Sequence, residues 1–197
     1  MSKMTRAVLT ALSIAALGYA ATARSDISGY QEYDNPTPST HVASTCAPDE
    51  TAVGKYAFSG ADFTFKSTAY SDVIRSGAQP ITVRCNVADP LDGDVKPYWN
   101  SMIVGYVDPD STGLDTRVVA KLYQVNRLTG GANAIATFDS NGFGQSARGE
   151  AMVNLKTLPD FHNYEYFVQL DLYRANQTAL IPAVYSVRLV STTAIPR

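Results

Sequence analysis

The 197-residue chain holds only two histidines, two cysteines and one tryptophan. So few histidines restrict acid–base chemistry. His41 stands in a polar, proline-containing stretch, which leaves His162 as the one candidate general base. Asp160-Phe161-His162 puts an acid two residues away, but the segment reads as a surface loop. Gly144-Gln145-Ser146-Ala147-Arg148-Gly149 misses the G-x-S-x-G elbow by one residue and has no evident strand-to-helix turn around it. No coherent set of nucleophile, base and orienting acid is present, so a hydrolase ranks last among the functional readings.

A basic excess is also missing. Loss of residues 1–23 removes Lys3 and Arg6 and no acid, leaving 14 basic against 18 acidic groups, a net charge of −4. That balance favours solubility and gives nothing for a nucleic-acid backbone to bind. The apolar run Ala7–Ala20 is shorter than the roughly 20 residues that span a bilayer. With Lys3 and Arg6 before it and Ala21-Thr22-Ala23 after it, residues 1–23 read as a cleavable signal helix. The first cysteine is residue 46, so no lipoprotein cut is expected there. The product is expected outside the cytoplasm, in the periplasm or beyond, with no membrane span after cleavage.

Cys46 and Cys85, in an oxidising compartment, read as one disulfide. The absence of a C-x-x-C pair or a nearby histidine cluster argues against redox or metal chemistry at them. Residues 24–45, with Asn35-Pro36-Thr37-Pro38, have few apolar groups to repay ordering and read as a flexible polar arm. Residues 46–197 form a single domain in this reading.

Within that domain the dominant pattern is period two. Tyr164, Tyr166, Val168, Leu170 and Leu172 share one parity, with Glu165, Gln169 and Asp171 on the other. The run predicts a central strand packed on one face. Ile81, Val83, Cys85 and Val87 alternate in the same way, and Pro80 suits the strand's start. Further strands are expected at 53–58, 62–66, 102–107, 117–126, 132–138, 151–156 and 183–190, where Ala183, Tyr185, Val187 and Leu189 share a face. Strands 102–107 and 117–126 read as a hairpin with a long loop. Eight or nine short strands, turns every 8 to 12 residues and no helix after the signal predict an all-β antiparallel sandwich, of jelly-roll or immunoglobulin-like order. Cys46-Ala47-Pro48, Val83-Arg84-Cys85-Asn86-Val87 and Val104-Gly105-Tyr106-Val107-Asp108 resemble a group of small exported bacterial all-β proteins of uncharacterised function. That resemblance implies an exported sandwich and no particular site residue.

Carboxylates on one strand do not make a glycosidase: Glu165 and Asp171 are six residues apart, roughly 20 Å along a strand. Two acidic loops could take calcium. Asp108, Asp110, Thr112 and Asp115 offer oxygen around Gly113, although the twelfth position is Val119 rather than Glu. Asp89, Asp92 and Asp94 are spaced similarly around Gly93. Asp-Pro and Asp-Gly are also ordinary turn formers, and the turn reading ranks first. No other cofactor is expected.

Twelve tyrosines, one of them in the signal, suggest a binding surface. Tyr98 and Trp99 beside an acidic loop are candidate ligand contacts, and Phe167 and Tyr173 on the wetter side of the central strand could extend the patch. For Trp99 the core reading ranks ahead of the surface one. The preferred reading is a non-enzymatic sandwich binding a polysaccharide or a protein surface. A structural or self-assembling envelope protein is the alternative.

Overall fold

Alternating burial turns these period-two runs into strands. The structure, a computed structural model, describes residues 33–34, 37–71, 80–91 and 96–192. Residues 1–23 and most of the expected arm lie outside them, as do Asp92 and Asp94. The strands run in order β1 Tyr33–Asp34, β2 Ser39–Val42, β3 Ala47–Pro48, β4 Tyr56–Ser59, β5 Asp62–Phe65, β6 Ile81–Val87 and β7 Lys96–Pro97. They continue as β8 Ser101–Val107, β9 Thr116–Asn126, β10 Ala132–Asp139, β11 Gly149–Asn154, β12 Tyr164–Arg174 and β13 Ala183–Val190. Among the described residues the only helical pieces are 3-10 turns at Ala43–Thr45, Glu50–Ala52 and Ser140–Gly142.

Two sheets face each other. One has the order β10-β9-β12-β6-β3, the other β11-β8-β13-β5-β4, with β2 on the same side of β13 as β5. β1 pairs in parallel with β7. The remaining pairs are antiparallel, and their order selects between the two expected topologies. β5 pairs with β13, β6 with β12, β8 with β11 and β9 with β10. The chain is thus one long two-stranded ribbon whose tip is the β9–β10 hairpin, and its successive pairs fall in alternate sheets. Rolling that ribbon up makes β13 meet β8 and β12 meet β9, which is a jelly roll rather than an immunoglobulin order.

The central strand stands where its alternation put it, between β9 and β6. Tyr166, Val168, Leu170 and Leu172 are buried against Phe63, Met102, Val104, Tyr106 and Leu189 in one core. The Cys46–Cys85 disulfide is formed and ties the segment before β3 to β6.

Four expectations change. β8 and β9 are not a hairpin, because Asp108 to Asp115 carries the chain from one sheet to the other. Ser39–Val42, placed in the polar arm, is a strand, and Ala43 behind it is wholly buried, so ordered structure begins before Cys46. The open edge of β13 supplies backbone partners that local composition does not reveal. His41 therefore lies half-buried on a strand, with its ring nitrogen 3.0 Å from Ser39 Oγ, and burial lowers its pKa. In β13 a register shift between Val184 and Ser186 breaks the parity, so that Val184 is fully buried and Tyr185 only half-buried.

Candidate functional site

The outer face of the five-stranded sheet carries the residues that could meet a ligand. Cross-strand register sorts them into rows. Phe167 lies opposite Tyr123 on β9 and Asn86 on β6. Two residues along β12, Gln169 lies between Lys121 and Arg84. Two further on, Asp171 lies between Val119 and Thr82, and Tyr173 then faces Arg117. Successive rows are about 7 Å apart along the strands.

Tyr123 and Phe167 stack on one another, with ring centroids 5.0 Å apart and planes 15° apart. Both are half-buried, so the pair forms an apolar ridge open to solvent on one side. Beside it the polar row alternates donors and acceptors. Arg84 is ion-paired with Asp49, whose carboxyl sits below the usual range because the Thr51 backbone N–H and then Arg84 donate to it. Asp171 is 3% exposed, and Thr82 Oγ1 donates to its Oδ1 at 2.7 Å while Gln169 Nε2 lies 3.0 Å from both oxygens. Those bonds fix the Gln169 amide, leaving its carbonyl oxygen available. At the far end Arg117 holds Asp139 in a two-point pair and lies 5.7 Å from the centre of the Tyr173 ring. Burial raises the pKa of the Tyr173 hydroxyl, keeping it a neutral donor.

The sequence-derived candidates divide. Phe167 and Tyr173 are on this face, six residues apart on β12. Trp99 is not: it is 1% exposed and packs edge-on against Phe161 at 6.3 Å, so the surface reading of Trp99 gives way to the core one. Tyr98 is half-buried next to it, away from the ridge-forming strands. Tyr123, Lys121 and Arg84 were not singled out by sequence. Their period-two spacing was visible, but only the register with β12 places Tyr123 against Phe167.

The Asp108 loop closes on itself. Asp110 Oδ2 accepts from the backbone N–H groups of Asp115 at 2.7 Å and Thr116 at 3.1 Å, and its Oδ1 accepts from the Thr116 hydroxyl. Asp108 is fully buried beneath it, with Oδ1 2.6 Å from Thr116 Oγ1. Burial above all pushes the Asp108 carboxyl up to about 6, against hydrogen bonds from Ser140 and Thr116. Thr112 and Asp115 point outward as exposed residues. The four calcium candidates thus divide between a buried anchor, a turn-locking cap and two surface positions. Among the described residues no group of three or more His, Cys, Asp or Glu is placed to hold a metal ion. Asp89 caps its own turn by accepting from the Leu91 N–H at 2.9 Å.

The histidine pairing does not form either. Asp160 accepts the backbone N–H of His162, at 3.2 Å, and its other oxygen takes Lys96 and Asn163. Burial works against its ionisation, but the Lys96 and Asn163 hydrogen bonds hold its carboxyl below the usual range. Among the described residues no helix is long and apolar enough to cross a membrane.

No protein-family model matches the chain, and no curated protein matches it in sequence. Among solved structures, the xylan-binding module CBM15 is 8% identical, with 81% of this chain and 99% of that chain covered, at a TM-score of 0.46. The low affinity xylan binding module CBM86 from Roseburia intestinalis is 13% identical, covering 77% of this chain and 93% of its own, at 0.43. A family two carbohydrate esterase from Cellvibrio japonicus is 13% identical at 0.41, and only 35% of that chain is covered against 81% of this one. Likeness at this level assigns neither ligand nor residue to this chain, and the fold rests on the strand pairings given above.

Proposed function

We propose that this protein is an exported, non-enzymatic module that binds polysaccharide on the outer face of its five-stranded sheet. The observation that carries the reading is the solvent-accessible Tyr123–Phe167 stack, standing directly beside the Arg84–Gln169–Lys121 row. A pyranose ring has apolar C–H faces and a rim of hydroxyls. An aromatic ridge next to alternating donors and acceptors matches both parts. Most of the charges here are already paired, Arg84 with Asp49 and Arg117 with Asp139, so the face suits a neutral polyhydroxyl chain better than a strongly charged one. The disulfide supports an oxidising compartment, and with it the expectation of export.

The test is retention of the purified protein on insoluble and immobilised polysaccharides, xylan and cellulose among them, with and without calcium. Retention by the parent protein that Phe167→Ala removes, with an unchanged melting temperature, supports the reading. Calcium dependence would give the Asp108–Asp110 loop a bracing role around a metal. No retention on any polysaccharide overturns the proposal.

A further inference from the structure

A concavity lies on the inner side of the same sheet, beside the start of β12. Its volume is about 390 Å³, and Lys96, Gln124, Thr157, Leu158, Asp160 and Tyr164 line it. Gln124 is opposite Tyr166 in register, and Tyr164 has the parity of the buried residues of β12. Both therefore belong to the core-facing side, and the cavity is separate from the Tyr123–Phe167 ridge.

The lining mixes apolar surface with polar groups that have spare hydrogen-bonding capacity. Lys96 and Asp160 neutralise one another at 2.9 Å. Among the described residues neither the half-buried Gln124 amide nor the Thr157 hydroxyl has a hydrogen-bond partner. Gln124 is half-buried and Thr157 exposed, so both groups are open to an entering ligand that can replace the water on them. The Tyr164 ring and Leu158 give the cavity two apolar walls. Paired charge, a free amide, a free hydroxyl and one aromatic face describe a site for a small, neutral, polyhydroxylated ring rather than for an ion or an apolar ligand.

We infer that this cavity binds a single sugar unit, such as the free end of a glycan chain, with the Gln124 amide and Thr157 hydroxyl bonding its hydroxyls. The choice of ligand class rests on the glycan reading, whereas the site itself does not depend on the sheet face.

Titration of the full chain with xylose, glucose, galactose and their disaccharides, followed by NMR or calorimetry, tests the assignment. Wild type is expected to bind at least one of them saturably. Gln124→Leu and Thr157→Val, both close in size to the residues they replace, are each expected to weaken that binding about tenfold while keeping the melting temperature and polysaccharide retention. Phe167→Ala is expected to leave it unchanged. Absence of saturable binding to wild type, indifference to both cavity variants, or loss with Phe167→Ala would each overturn the inference. The last result would assign soluble sugars to the sheet face instead, and polysaccharide retention reports separately on that face.

Discussion

Arg174 donates twice to one oxygen: its Nε and Nη2 lie 3.0 and 2.7 Å from the carbonyl of Ala179. The same guanidinium bonds the carbonyls of Ser67, Ala69 and Gln177, each at 2.8 Å. At 3% exposure it is a buried cation ringed by backbone oxygen, at the core-facing end of β12. It thereby joins two loops, residues 66–69 and 175–179, that have no sheet partners of their own. Five donors in a rigid fork suit this task, and an ammonium with three does not. Arg174→Ala should lower stability by roughly 2–4 kcal/mol, because the buried Ala179 carbonyl loses two charged donors and three part-buried carbonyls lose one each. Arg174→Lys should recover less than half of that, read as the midpoint of urea unfolding.

The Cys46–Cys85 bridge spans 39 residues of sequence. It fastens the β2–β3 segment to β6, and β3 contributes only two residues of pairing to that strand. Chain entropy gives such a loop about 4 kcal/mol, with any residual order in the reduced chain subtracting from it. Reduction, or the paired change Cys46→Ala with Cys85→Ala, should lower the urea midpoint accordingly. Hydrogen exchange should show β2 and β3 losing protection ahead of β12.

Asp108 contributes more stability in mild acid than at neutral pH. Burial holds its folded pKa at about 6, above the ordinary 3.8. Between those values the folded chain binds more protons than the unfolded one, so this group's contribution falls as pH rises through the window. Asp49, Asp110 and Asp160 have lowered pKa values, and their stabilisation is lost only as pH drops below about 3.8. His41, whose pKa burial lowers, works in the opposite direction below about 6.5, so the Asp108 contribution is read by difference: relative to Asp108→Asn, wild type should lose a few degrees of melting temperature from pH 4 to pH 7. A wild type that gains stability relative to Asp108→Asn through the window would refute the assignment.

Period-two alternation in β6 and β12 located the core because one side of each strand is buried while the other, apart from Thr82 and Asp171, is half-buried or exposed, so sequence and burial carry much the same signal. The sheet order was not legible, since β8 and β9 are neighbours in sequence but belong to different sheets, and no local pattern records the crossing. β2 escaped for a related reason. Its Ser-Thr-His-Val is ordered by the edge of a strand nearly 150 positions away. The site lies between these cases. Phe167 and Tyr173 stood on the predicted wet face, whereas Tyr123 acquires meaning only from being across from Phe167. Trp99 shows that a lone aromatic beside a polar loop is as easily a core residue.

Gly105 is where β8 accepts the irregular stretch of β13. A Cβ there would come within 2.7 Å of Tyr185 Cζ, and closer still to Tyr185 Cε2 and Ser186 Oγ. The ring cannot simply swing away. Its hydroxyl donates to the Gly149 carbonyl at 2.8 Å, and Arg148 lies over it at 4.4 Å. Gly105→Ala should destabilise by about 1–3 kcal/mol through overpacking. Adding Tyr185→Ala should restore much of the loss, so a thermal double-mutant cycle should give a coupling of opposite sign to the single change.

The Tyr123–Phe167 ridge makes a prediction that separates binding from folding. Both rings are half-buried on the outer face, so truncating either removes ligand contact while the core beneath, Leu122 and Val168, keeps its packing. Phe167→Ala and Tyr123→Ala should each weaken polysaccharide retention about tenfold or more, the 1.4 kcal/mol or greater expected of a central aromatic contact. Because the rings stack on each other, the double variant should lose less than the sum of the two. Gln169→Ala should act on both properties. It frees the carboxylate of the buried Asp171 from one of its two side-chain donors, and it removes a hydrogen-bonding group from the ligand row. Trp99→Phe, a change confined to the core, should lower the melting temperature and leave retention intact wherever the domain is folded. Affinity electrophoresis beside thermal melts measures both properties on the same samples. If Trp99→Phe and Phe167→Ala move retention equally at matched stability, the ridge is not the binding surface.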